Sequence, residues 1–115
     1  MRKRSVICDR YETVVVPYPF HEKPVSKRRP ALVLSGQGFN ERNGHSLVAM
    51  ITTAKAYNWP SDVMIADLAS AGLVVPCVLR MRFQTLPNDI FVRRLGHLGG
   101  LDRLACERAL ADMIL

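Results

Sequence analysis

The densest chemistry in the sequence is the run Ser26-Lys27-Arg28-Arg29-Pro30. A proline disfavours helical backbone in the residue before it, so Arg29 is expected to be extended. Its side chain would leave a loop at the mouth of the next strand. A guanidinium there presents a planar fork that matches two oxygens of a phosphate. Arginine is too basic to accept a proton readily. The chemistry that suits Arg29 is therefore stabilisation of phosphate charge, with proton delivery as a further role. Lys27 and Arg28 add phosphate affinity. The candidates for accepting a proton are Glu12, His21 and Glu22, and His21 has the best-matched ordinary pKa. Arg93 and Arg94 are neighbours in a β-rich segment and should point to opposite faces. Tyr57 and Trp59 lie in one loop, where they either stack on bases or anchor the loop. His45 and His97 read as structural or solvated.

The whole chain supports a polyanionic partner. It carries 16 Lys+Arg against 10 Asp+Glu, a formal charge of +6 over 115 residues. Nucleic acid is the first partner this implies and an acidic protein the second. Cys8, Cys77 and Cys106 lack C-x-x-C spacing, which argues against a disulfide framework or a zinc site. Cys77 and Cys106 sit among apolar residues, as small core residues do, whereas Cys8 lies in a polar, loosely held start. A reducing cytoplasm fits all three. Arg2, Lys3 and Arg4 imitate the start of a secretion signal, but Asp9, Arg10 and Glu12 interrupt the apolar stretch it would need. No run reaches membrane-spanning length, and no cofactor or metal is expected.

The elements that position these residues read as short strands followed by one helix. Strands are expected at Thr13–Tyr18, Ala31–Ser35, Ser46–Thr53, Asp62–Ala66, Pro76–Arg82 with an extension to Leu86, and Ile90–Leu95. Residues 21–29, 36–44 and 54–61 read as loops, and 67–72 as a turn. Leu101, Leu104, Ala105, Ala109, Met113 and Ile114 recur at helical spacing, so residues 101–114 are expected to form an amphipathic helix, with Asp102 favouring its first turn. The pattern is a β barrel or tight sheet closed by a helix, in one domain spanning residues 1–115.

Four blocks in order carry a resemblance: VVVPYPF with SKRRPALVLS, SLVAMITT, SDVMIADLASAGLVVPCVLR, and FVRRLGHL before the terminal helix. Together they resemble the MazF/PemK toxins and span nearly the whole chain. The resemblance implies an SH3-like barrel of the MazF/CcdB/Kid type with a C-terminal helix, assembled as a homodimer. It implies the toxin half of a type II toxin–antitoxin pair, held by a cognate antitoxin, that cuts single-stranded RNA without metal. Arg29 matches the family's catalytic Arg before Pro. Thr52 matches a Thr whose hydroxyl holds the scissile phosphate, with Thr53 able to share the task. Arg80 matches an Arg that serves cleavage in the PemK/Kid branch. Arg82 stands where that branch has Asp, so a carboxylate is missing there, and Arg82 is read with His21, Lys27 and Arg28 as an RNA contact. Tyr11 replaces the family's usual Gly before the first strand, where a turn with positive φ would be harder to form. Toxins on this fold also include gyrase poisons such as CcdB, so a non-enzymatic toxin stays open. So do a nucleic-acid-binding module with a degenerate site and a protein that retains only antitoxin binding.

Overall fold

The computed structural model describes residues 7–18, 27–55 and 59–115. His21, Glu22 and Tyr57 lie outside these residues. The chain runs β1 (Glu12–Tyr18), β2 (Lys27–Val33), α1 (Gln37–Asn43), β3 (His45–Thr53), β4 (Val63–Met64), β5 (Cys77–Pro87), β6 (Arg93–His97) and α2 (Gly100–Ile114). The strands form one six-stranded sheet in the order β4-β5-β3-β2-β1-β6, and every pairing is antiparallel.

The sheet curls strongly, and its two edges are drawn together by the turn that follows β4. His97 N–H donates to Ser70 O at 2.9 Å, and the Thr13 hydroxyl donates to Ala71 O at 2.7 Å. The backbones meet so closely at this seam that only glycine fits. A Cβ on Gly96 would lie 2.2 Å from Ser70 O, and one on Gly72 would lie 2.4 Å from Leu95 O. This is the half-barrel form of the expected barrel, with the terminal helix in place.

Both faces of the sheet are covered, which explains why Ala31-Leu32-Val33-Leu34 is apolar without interruption. Alternation sends Leu32 and Leu34 to a cluster with Ile51, Leu79 and Cys106 of α2. Ala31 and Val33 go to a second cluster with Val14, Val16, Val48, Phe91 and Cys8. Cys8 is fully buried, contrary to the loosely held start expected for it. Burial raises the thiol pKa of all three cysteines, that of Cys106 to about 11.

Several boundaries differ from expectation. Residues 36–44 read as a loop but contain α1, because its one buried residue is a polar anchor rather than an apolar stripe. Asn40 donates to Cys8 O at 2.8 Å and Ser35 O at 3.1 Å, and accepts from the Ser35 hydroxyl. The last strand is Arg93–His97 rather than Ile90–Leu95, because Asn88–Ile90 forms a 3-10 turn and Phe91 plugs the core. The terminal helix is present, but turned relative to its apolar repeat. It packs through Asp102, Cys106, Ala109 and Leu110, leaving Leu101, Leu104, Met113 and Ile114 exposed. The Asp102 carboxylate accepts the N–H groups of Ala66 and Asp67, each at 2.9 Å, and so ties the helix to the chain after β4. Among the described residues, no helix is long and apolar enough to cross a membrane.

Candidate active site

β2 begins at Lys27, so Lys27, Arg28 and Arg29 lie within a strand rather than in the expected loop. They pair with Tyr18, Pro17 and Val16 of β1. On the other side, pairing with β3 runs from Val33↔Val48 to Ala31↔Met50 and goes no further. Pro30 accounts for the stop. Backbone N–H and C=O groups alternate sides along a strand. Val33 O faces β1, because it accepts from Tyr11 N–H, and Leu34 N–H faces β3, where it meets Leu47 O. Counting back by twos from Leu34 puts position 30 on the β3 side. The donor that proline lacks is the one that would have continued the ladder to β3.

Where this ladder ends, a cleft of about 180 Å³ opens, lined by Tyr18, Arg29, Met50, Ile51, Thr52, Arg80 and Arg82. Continuing the β2–β3 register by two residues would bring Arg29 opposite Thr52. β5 supplies the remaining cations, and its pairing with β3 is irregular beside them. One step on β3, from Ala49 to Met50, spans three on β5, from Phe83 to Arg80. Alternation along β5 turns Met81 into the core with Leu79 and Phe83, while Arg80 and Arg82 share the opposite face and both line the cleft. Arg82 is exposed, with its guanidinium carbon 5.7 Å from the centre of the Tyr18 ring. A second groove of about 340 Å³ shares Arg29, Ile51 and Thr52 with the first and adds Arg28, Thr53 and Arg93.

Four of the sequence-chosen residues, Arg29, Thr52, Arg80 and Arg82, thus meet on one cleft, and Arg28 and Thr53 lie on its neighbour. Lys27 is exposed at the start of β2. Glu12 is elsewhere. It pairs with Arg94 at 3.0 Å and accepts Asp9 N–H, so it is no proton acceptor for this cleft. Arg93 and Arg94 do point to opposite faces: Arg93 lines the groove, while Arg94 also donates to Ile7 O.

Sequence reasoning missed Tyr18 and Asp62. The carboxylate beside Arg80 does not come from position 82, but Asp62 supplies one from the loop before β4. Arg80 Nε donates to Asp62 Oδ1 at 3.1 Å, and its Nη2 donates to Oδ2 at 2.8 Å. This pairing, against the opposing effect of burial, holds the Asp62 carboxyl below the usual carboxylate range. Trp59 packs against the same guanidinium at 5.1 Å, so it anchors its loop. Among the described residues, no three His, Cys, Asp or Glu side chains gather as a metal site would require.

The description that fits this arrangement is PemK-like, MazF-like toxin of type II toxin–antitoxin system, whose family model matches residues 9–114. The chain belongs to this family. No curated protein sequence matches it. Among solved structures, MazE–MazF from Deinococcus radiodurans has a TM-score of 0.75 at 21% identity, covering 95% of this chain and 97% of that one. An endoribonuclease in complex with its cognate antitoxin, from a mycobacterial species, has a TM-score of 0.70 at 17% identity over 92% and 91% of the two chains. The toxin MazF-mt6 of Mycobacterium tuberculosis has a TM-score of 0.70 at 24% identity over 88% and 93%. At these identities the likeness is one of fold. In this PemK/MazF toxin, Tyr11 before β1 stands at φ 71°, so a left-handed turn forms there without glycine.

Proposed function

We propose that this toxin is a metal-independent endoribonuclease that cuts single-stranded RNA at preferred sequences, in the cytoplasm and as a single domain. The observation that carries the reading is the convergence of Arg29, Arg80, Arg82 and Thr52 on one cleft from three separate strands. RNA brings its own nucleophile. The 2′ oxygen loses its proton and attacks the adjacent phosphorus, the bond to the 5′ oxygen breaks, and that oxygen takes up a proton. The products are a 2′,3′-cyclic phosphate and a 5′-hydroxyl. The protein must stabilise the crowded, negatively charged phosphorane, and fixed cations do this best where water is excluded. Arg29 holds that charge, the Thr52 hydroxyl positions a phosphate oxygen, and Arg80 presents a second guanidinium. Lys27, Arg28, Thr53 and Arg82 hold the flanking RNA, with His21 as a further contact.

The same cationic surface suits an antitoxin with an acidic segment that folds on binding, competes with RNA and weakens with salt. The toxin works as a homodimer. A second reading, RNA binding without cleavage, is favoured by one observation: among the described residues, the cleft wall carries no carboxylate. Incubating the toxin with unstructured RNA in EDTA separates the two. Cleaved RNA ending in a cyclic phosphate supports catalysis, and bound but intact RNA supports the second reading.

A further inference from the structure

Arg80 differs from the other arginines on the cleft. Arg29 and Arg82 are exposed, but only 18% of the Arg80 side chain is. Its partner Asp62 is more enclosed, at 4%. The two planar groups meet fork to fork, the strongest and most directional form of this pair. Asp62 Oδ2 also accepts the backbone N–H of Trp59 at 2.9 Å, and the Trp59 ring lies over the guanidinium. One carboxylate therefore fixes both the arginine and the aromatic residue that packs on it.

We propose that Asp62 and Trp59 are positioning residues for Arg80, holding its guanidinium plane fixed at the cleft before substrate arrives. The inference rests on the reading of the cleft as an RNA-cutting site. Two physical consequences follow. An arginine side chain loses much rotamer freedom when it is ordered. Here that cost falls on folding, so it does not recur on the way to the transition state. The Asp62 charge also offsets that of Arg80, so Arg80 attracts phosphate from a distance less than Arg29 and Arg82 do. Arg80 then acts on kcat through its orientation and adds little long-range attraction, whereas Arg29 adds salt-dependent attraction to its part in catalysis and Arg82 adds attraction alone. Asp62 lies outside the cleft lining, which makes its effect indirect.

The first test needs neither a variant nor RNA. In nitrogen-15 NMR of the native toxin, the Arg80 Nε–H should give a resolved signal that exchanges slowly with water, unlike those of Arg29 and Arg82. An Arg80 signal averaged with theirs overturns the proposal, whatever the cleft does. The second test is a double-mutant cycle on cleavage. Asp62→Asn keeps the shape and should lower kcat by roughly ten- to a hundredfold with KM within about twofold, the scale expected for a misplaced catalytic group. In an Arg80→Ala background the same change should cost nothing further. An equal loss in both backgrounds would mean that Asp62 acts independently of Arg80. Absence of cleavage by the native toxin would instead count against the RNA-cutting reading, leaving the NMR result to decide whether Arg80 is held.

Discussion

Tyr11 shows how one non-glycine residue is held in a left-handed turn. At φ 71° it occupies backbone space that costs a non-glycine residue about 1 kcal/mol or more. Its backbone is held on both sides, N–H to Val33 O at 2.7 Å and O from Leu98 N–H at 2.9 Å. Its phenol donates to Glu107 at 2.6 Å, and Arg103 lies 5.8 Å from its ring. Desolvation first, then the Glu107 hydrogen bond and charge, push the phenol pKa up to about 12 from an ordinary 10. The fold therefore favours the neutral phenol. That stabilisation is complete below pH 10 and is lost as pH rises towards 12. Urea midpoints at about pH 8 and about pH 11 should fall further for the native toxin than for Tyr11→Phe, which has no phenol to ionise. Parallel falls would mean that the Tyr11 proton is not coupled to folding. Arg29 was legible because Arg-Pro in a basic run is a local signal. Asp62 was not, because it reads as the polar first residue of an alternating strand, Asp62–Ala66, until the fold brings Arg80 to it.

At the scale of elements, the strand pattern was legible wherever apolar runs were uninterrupted, as in β1 and β3. It failed where polar anchors did the work. α1 hangs on Asn40, and the 3-10 turn before β6 hangs on Asn88, which accepts from the Ser46 hydroxyl at 2.6 Å and donates to Asn40 O at 2.8 Å. Neither asparagine announces burial in a sequence. Pro30 was read only for its effect on Arg29, yet its larger effect is to end the β2–β3 ladder at the cleft. Pro30→Ala restores a donor on the β3 side. The hydrogen bond gained is worth ~0.5–1.5 kcal/mol. The extra freedom of the unfolded chain costs ~0.4–1 kcal/mol. Stability should therefore hardly change, while the strands draw together and cleavage falls. Hydrogen exchange should show the new amide at position 30 protected. A fast-exchanging amide with full activity would mean that something other than the missing donor holds the cleft open.

At the scale of the molecule, the terminal helix leaves apolar side chains uncovered at both of its ends. Leu101 is 81% exposed and Ile114 63%, and Val74, beside the second groove, is 94% exposed. The sequence revealed the helix but not its rotation, because the buried Asp102 that sets it is polar. Such exposure suits a partner surface, and the toxin should scatter light at micromolar concentration as about twice the 12.9 kDa chain mass. A mass of one chain would contradict the homodimer. The central claim is that the cleft performs catalysis through Arg29, beyond binding RNA through a basic run. The most direct test compares cleavage of one unstructured RNA, in EDTA, by the native toxin, Arg29→Ala and Arg28→Ala, each with its fold verified by circular dichroism. The account predicts that Arg29→Ala loses on the order of a hundredfold or more in rate at saturating RNA. Arg28→Ala should lose mainly affinity, recoverable at lower salt. Equal losses in the two variants, both recovered by lowering the salt, would contradict it.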